Sequence, residues 1–165
     1  MTVLRFGILT ASDRSARGER PDASGPALVE LIELQGWQVT RQMVLPDDLR
    51  ELRQTLIEWA DESALDVILT TGGTGFSPRD VTPEATLSVI ERQAPGLAEA
   101  MRADSLAKTP HAMLSRAVAG IRGRTLIINL PGSPKGAVEN LKVVLPVLAH
   151  AVELLREDPQ AEAHH

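Results

Sequence analysis

Thr70-Thr71-Gly72-Gly73-Thr74-Gly75-Phe76-Ser77-Pro78-Arg79-Asp80-Val81-Thr82-Pro83-Glu84 is the stretch on which the fold turns. The apolar run Val67-Ile68-Leu69 leads into it and a helical pattern from 84 to 92 leaves it, which is strand, loop and helix in succession. Three glycines in four positions admit backbone conformations that a Cβ forbids and let a ligand approach the peptide groups closely. Successive free N–H groups in such a loop make a concave anion site without any lysine. Thr82 reads as a helix N-cap and Pro83 as the first helical residue, so a positive helix end also faces the loop. Asp80 stands beside this cradle, where a carboxylate repels a phosphate unless a metal ion or a proton lies between them. The combination points to a magnesium-dependent nucleotide or phosphoester site. Glycine-rich turns after strands also occur without any ligand, and on this stretch alone the two readings balance. It is not a Walker loop, because no Gly-Lys-Ser/Thr follows the glycines, and the third glycine of a dinucleotide fingerprint is missing at its spacing.

The rest of the chain sets the bounds. Its 165 residues fit one domain with a full hydrophobic core. A formal charge of −5 argues against a nucleic-acid partner, whose affinity rests on a basic face. With no tyrosine and 2% aromatic residues, base stacking is poorly supplied. The absence of cysteine removes disulfides, thiolate metal sites and thiol catalysis. The first residues lack a signal-peptide layout and no apolar run approaches membrane length, so the expectation is a cytoplasmic protein with no membrane partner.

Outward from the glycine loop, residues 3–10 read as a buried strand ending in Ala11-Ser12-Asp13-Arg14-Ser15. Ser24-Gly25-Pro26 opens a helix with Leu28, Leu31, Ile32 and Leu34 at helical spacing, stopped by Gly36. Residues 37–45 alternate as a strand, Pro46-Asp47-Asp48 ends it, and a helix over 49–62 turns Leu52, Leu56 and Trp59 or Ala60 inward. From spacing alone, Asp47 reads as the N-cap of that helix. Residues 65–71 form the third strand. The helix from Pro83 runs to about Gln93 and a second one covers 97–107. Residues 115–121 and 124–130 are short strands joined at Arg122-Gly123 as a tight hairpin. The last strand ends in Asn129-Leu130-Pro131-Gly132-Ser133-Pro134-Lys135-Gly136, again a glycine turn, a Ser cap and a Pro at the first helical position. The final helix runs to about Arg156, kinked or broken at Pro146.

Strands alternating with helices predict a single-domain three-layer α/β/α sandwich over residues 1–157, with a mostly parallel, mixed sheet and a polar tail over 158–165. Ligands in such sheets sit beyond the carboxyl ends of the strands. Three loops leave strand ends with matching chemistry: Ser12-Asp13-Arg14, Gly72 to Asp80, and Pro131 to Lys135. Two glycine loops, each followed by a capped helix, tip the balance to phosphate binding. By position Arg14 and Arg79 suit anion contacts, with a surface charge or a contact between copies of the chain left open for each. His111 in a connector and His150 in the last helix read as structural or exposed rather than catalytic, and the terminal His164 and His165 alone are not a metal site.

TTGGTGFSPRDVTPEAT and NLPGSPK, with LSRAVAGIRG between them and an SDR loop after the first strand, resemble the MogA/MoaB family of molybdenum-cofactor biosynthesis, which includes the G domains of gephyrin-type proteins. The resemblance runs from about residue 3 to 155. It implies a molybdopterin adenylyltransferase that uses ATP and magnesium, releases pyrophosphate, forms a homotrimer and hands its product to a separate molybdate-inserting enzyme. No segment resembling that second enzyme is expected in the chain. By position, the resemblance gives Asp47 and Asp80 as the two acidic residues of the adenylyl-transfer step and as the candidates to hold magnesium, which shifts Asp47 away from a mere cap. Ser12, Asp13 and Asp22 match the nucleotide end, and Gly72, Gly73, Thr74 and Gly75 match the phosphate cradle. Ser105, Ser115, Asn129, Pro131, Gly132 and Ser133 match positions around the pterin and its phosphate. Lys135 matches a basic position that some members replace. The presence of both aspartates favours an enzyme over a non-catalytic pterin- or nucleotide-binding relative, and a compact chain gives a scaffold role little support.

Overall fold

A computed structural model describes residues 2–62 and 64–164. His165, one of the two terminal histidines, lies outside them. Strands β1 (Arg5–Ala11), β2 (Gln38–Leu45), β3 (Val67–Thr71), β4 (Arg92–Gln93), β5 (Ala119–Arg122) and β6 (Thr125–Leu130) make one sheet in the order β2-β1-β3-β6-β5-β4. The first four in that order are parallel; β5 runs antiparallel to β6, and β4 at the edge runs antiparallel to β5. Helices α1 (Asp13–Ala16), α2 (Ser24–Leu34), α3 (Leu49–Glu62), α4 (Thr82–Val89), α5 (Pro95–Leu106) and α6 (Pro134–Leu155) connect them.

The period of two in the strands builds the three layers. Phe6, Ile8, Val67, Leu69, Leu126, Ile128 and Leu130 face one side, where Leu28 and Ile32 of α2 and Leu141, Val144 and Leu148 of α6 cover them. Leu9, Ile68 and Ile127 face the other, against Leu52, Leu56 and Trp59 of α3 and Ala85 and Val89 of α4. The central strands are buried on both faces, so they read as continuous apolar runs. Each such aliphatic side chain contributes about 1.5–3 kcal/mol on burial. Edge strand β2 is mostly exposed, and Trp37 just before it stacks on Phe6 with ring centroids 5.5 Å apart.

The structure corrects the sequence reading at several element ends. Leu34 is exposed rather than core-facing. The helix after Pro83 stops at Val89: Glu91 N–H donates to the Ile121 carbonyl and Ala94 N–H to the Ala119 carbonyl, so pairing with the hairpin edge overrides helical continuation through Gln93. The hairpin pairs Arg122 with Thr125, which moves its two-residue turn to Gly123-Arg124, with Gly123 at φ +58°. Residues 115–118 are not strand, and residues Pro110–Leu114 form a 3₁₀ turn. Helix α6 continues through Pro146. That proline is exposed, so the carbonyl it leaves unpaired reaches water, while Leu141, Val144, Leu148 and Val152 anchor the opposite face. In the polar tail, Ala161–His164 forms a 3₁₀ turn with Ala161 buried.

Candidate functional site

The carboxyl ends of β2, β1, β3 and β6 lie side by side at one level, because Ala11 pairs with Leu45, Thr10 with Thr71, and Thr71 with Leu130. Four loops therefore emerge together, carrying Asp47, Ser12-Asp13, Gly72–Gly75 and Pro131–Ser133. They are stitched at the base by Ser12 N–H to the Leu45 carbonyl at 2.9 Å and Gly72 N–H to the Leu130 carbonyl at 3.2 Å. Gly72 and Gly73 hold φ of +96° and +68°, a left-handed backbone open to glycine. A Cβ on Gly72 would overlap the Ala11 carbonyl, and one on Gly73 would meet Thr82 Oγ1 and Asp47 Oδ1.

Beyond the strand ends lies a cavity of about 780 Å³ lined by Ser12, Asp13, Asp22, Asp47, Gly72, Gly73, Asp80, Gly132 and Ser133, among others. A second, of about 310 Å³, is lined by Thr74, Gly75, Ser105, Ser115, Pro131 and Ser133, together with Arg102, Lys108 and Asn140. The glycine loop stands between the two, and Ser133 touches both. Two of the residues singled out from sequence stand apart. Asn129 is fully buried below the loops, where its side-chain amide donates to Thr70 Oγ1 and Thr86 Oγ1, both at 2.9 Å, and its Oδ1 accepts Val118 N–H. Lys135 is exposed and lines neither cavity.

The acids differ in environment. Asp13 N–H donates to Asp47 Oδ2 and Asp47 N–H to Asp13 Oδ1, each at 3.0 Å. Arg79 forks onto both Asp13 oxygens at 3.0 Å, and this hydrogen-bonded guanidinium holds the Asp13 carboxyl below its ordinary range. Asp47 goes the other way: burial pushes it up, and the charges of Asp13 and Asp80 add to the shift. Asp80 Oδ2 accepts Ser77 N–H at 3.1 Å, which folds the carboxylate back over its own turn.

The N-cap of α3 is Asp48, whose Oδ1 accepts Glu51 N–H at 2.9 Å, so the carboxylate of Asp47 is left to the cavity. Spacing pointed one residue early. The cap of α4 is Val81, with no side-chain bond, and Thr82 lies inside the helix. Ser133 does cap α6, accepting Gly136 N–H. Arg14 and Arg20 also line the larger cavity. Sequence reading missed Arg116. Its amide donates to the Thr74 carbonyl, its guanidinium to the carbonyls of Gly75 (2.7 Å) and Asp80 (2.8 Å), and both terminal nitrogens to Glu84. One residue thus brackets the whole stretch from Thr74 to Glu84. Its position inside the LSRAVAG segment is the only sequence signal for it.

Against known proteins, the family described as "Probable molybdopterin binding domain" matches residues 7–150. Gephyrin from Dictyostelium discoideum is 46% identical over 94% of this chain, which spans 23% of gephyrin's length. The molybdopterin adenylyltransferase of Helicobacter pylori strain J99 is 41% identical, over 94% of this chain and 89% of its own. Among solved structures, the molybdopterin biosynthesis enzyme MoaB from Thermus thermophilus superposes with a TM-score of 0.90 at 53% identity, covering 95% of this chain and 99% of that one.

Proposed function

The chain belongs to the molybdopterin-binding domain family of molybdenum-cofactor biosynthesis, and from that premise we propose that it is a molybdopterin adenylyltransferase. The observation that carries this reading is the pair of cavities meeting at one glycine loop, with Ser133 on both and four carboxylates, Asp13, Asp22, Asp47 and Asp80, on the larger side. Such a layout suits two phosphorylated substrates joined end to end.

In the proposed reaction an oxygen of the pterin's terminal phosphate attacks the α-phosphorus of ATP. The bond from that phosphorus to the α–β bridging oxygen breaks, and pyrophosphate leaves with the electron pair. No side-chain nucleophile is needed, so the protein's task is alignment and charge management. ATP takes the larger cavity, its nucleoside toward Ser12 and Asp22 and its phosphates along the peptide groups of Gly72 to Gly75. The pterin takes the smaller one, between Ser105 and Ser115, with its phosphate toward Pro131, Gly132 and Ser133. Arg79 offsets the charge of Asp13 at the cavity rim.

The residues fit magnesium. Asp47 Oδ1 and one oxygen of Asp80 take no hydrogen bond among the described residues, and these are hard donors of the kind the ion combines with substrate phosphates. No group of three or more such side chains forms a complete protein cage among the described residues, so Asp47 and Asp80 would hold an ion that arrives with ATP. Bound there, it would neutralise the phosphates and polarise the α-phosphate. The same reading includes a homotrimer, a cytoplasmic location and hand-over to a molybdate-inserting enzyme. No helix among the described residues is long and apolar enough to cross a membrane.

The test is pyrophosphate release from purified protein with ATP, magnesium and molybdopterin, with mass spectrometry of the pterin and an Asp80→Ala variant alongside. Adenylylated pterin from wild type and its loss in the variant are expected. Tight pterin binding without product would overturn the reading in favour of a non-catalytic carrier.

A further inference from the structure

Thr82 lies in the stretch that decides the fold, yet neither the cap nor the cavities use its side chain. It is 1% exposed, and its hydroxyl has no hydrogen-bond partner. A buried hydroxyl is ordinarily paired, and an orphan requires a reason. Its main chain is well held: Thr82 N–H donates to the Gly73 carbonyl at 3.1 Å. Its side chain sits against Gly73: a Cβ built there would overlap Thr82 Oγ1, and Asp47 Oδ1 would stand 3.1 Å from it. That Asp47 oxygen is also unengaged, since Asp13 N–H bonds only Oδ2. A donor without an acceptor and an acceptor without a donor thus face the same bare glycine.

We propose that Thr82 is a positioning residue for Asp47, its hydroxyl held in reserve beside Gly73 and donated to one lone pair of Asp47 Oδ1, leaving the other for an incoming cation, when a polyphosphate occupies the glycine loop. This rests on the proposed function for the nature of that ligand. An arriving polyphosphate brings further negative charge to a group of three aspartates, and a fixed donor on Asp47 keeps its carboxylate oriented while the α-phosphate is engaged. An orphan polar group at a functional site costs stability in the unloaded protein and is retained for the loaded one.

The experiment uses Thr82→Val, which keeps the shape and removes the hydroxyl, and Thr82→Ser, which keeps the hydroxyl. Without ligand, Thr82→Val is expected to melt at or above the wild-type Tm, by up to about 4 °C. Its kcat should fall about tenfold or more with KM for ATP within about twofold, and Thr82→Ser should recover most of the loss. A kcat within twofold of wild type, or a Ser variant as slow as the Val variant, would overturn the proposal. A readout independent of turnover is a double-mutant cycle of Thr82→Val with Asp47→Asn on Tm, with and without ATP, and with inorganic pyrophosphate as a simpler loop ligand. The shifts should add in the free protein and deviate from additivity in the loaded one; additivity in both overturns the proposal. Wild type that binds ATP but yields no adenylylated pterin would sink the proposed function and leave the cycle to decide on Thr82. Wild type that neither ligand stabilises sinks both.

Discussion

Asp13 and Asp47 exchange hydrogen bonds across the cavity floor, each amide donating to the other's carboxylate at 3.0 Å. The exchange locks the ends of β1 and β2 together and fixes which Asp47 oxygen faces the glycine loop. Asn at 47 keeps an acceptor for the Asp13 amide and loses the charge. Asp47→Asn is therefore expected to fold normally, bind molybdopterin within a few-fold of wild type, and lose at least about 100-fold in kcat. Steady-state kinetics beside pterin titration check this, and parallel losses of binding and turnover would make Asp47 structural.

The two acids carry opposite pH signatures. Asp13 sits below its ordinary range because Arg79 hydrogen-bonds it. Its contribution is present above the unfolded-state value of about 3.9 and disappears as pH falls through the lower folded value. Asp47 is raised, chiefly by burial, so its ionisation weighs against the fold as pH rises from about 3.9 through the folded value. Thermal melts from pH 3 to 7 should show Asp13→Asn losing the stabilisation seen above pH 4. Asp47→Asn should match or exceed wild type at pH 7. A less stable Asp47→Asn at pH 7 would contradict this account.

Arg116 holds the carbonyls of Gly75 and Asp80 and the carboxylate of Glu84 with one guanidinium. Lysine cannot reproduce that fork. In Arg116→Lys the loop from Phe76 to Asp80 should loosen, and exposed Arg79 should become a trypsin site cut at least several-fold faster than in wild type. The value of kcat/KM should fall by about tenfold or more. Unchanged trypsin kinetics would mean the loop holds itself.

How much of this was legible follows from the range of each interaction. Continuous apolar runs such as Val67-Ile68-Leu69, and glycines followed by proline, act over a few residues, so a mostly parallel sheet and the glycine loop were readable. The end of α4 was not, because Glu91 and Ala94 answer to Ile121 and Ala119, partners 30 and 25 residues away. Asp47 was readable as a functional residue only through the family resemblance, since its neighbour Asp48 has equal claim to the cap by spacing and takes it. Arg116 and Thr82 gain their meaning from contacts that close only when β5 and α4 pack around the loop.

Gly72 separates backbone strain from steric overlap. It combines φ +96° with a Cβ position that overlaps the Ala11 carbonyl, a backbone atom that cannot swing aside. Gly18 has a similar φ of +73° with open space around it. Gly18→Ala should cost about 1–2 kcal/mol, the left-handed penalty alone. Gly72→Ala should cost clearly more and lower Tm by at least about 5 °C. Equal costs in chemical denaturation would show that the loop yields around a Cβ at 72.

Asn129 ties the strand floor to the helix behind the loop, bridging Thr70 of β3 and Thr86 of α4 and accepting Val118 N–H. It is fully buried, so it supports the site without reaching either cavity. Asn129→Leu strands two hydroxyls and an amide without their partner, and each such group costs about 1–3 kcal/mol. The variant is expected to lose at least about 3 kcal/mol of stability, and both kcat and KM should worsen because α4 and the glycine loop shift together. Asn129→Asp retains the size and an acceptor for Val118, and its loss of stability should deepen as pH rises and the buried carboxyl ionises. Denaturant melts at pH 5 and pH 8 distinguish the two variants. An Asn129→Leu protein with wild-type stability but weakened pterin binding would instead place this side chain in contact with the substrate.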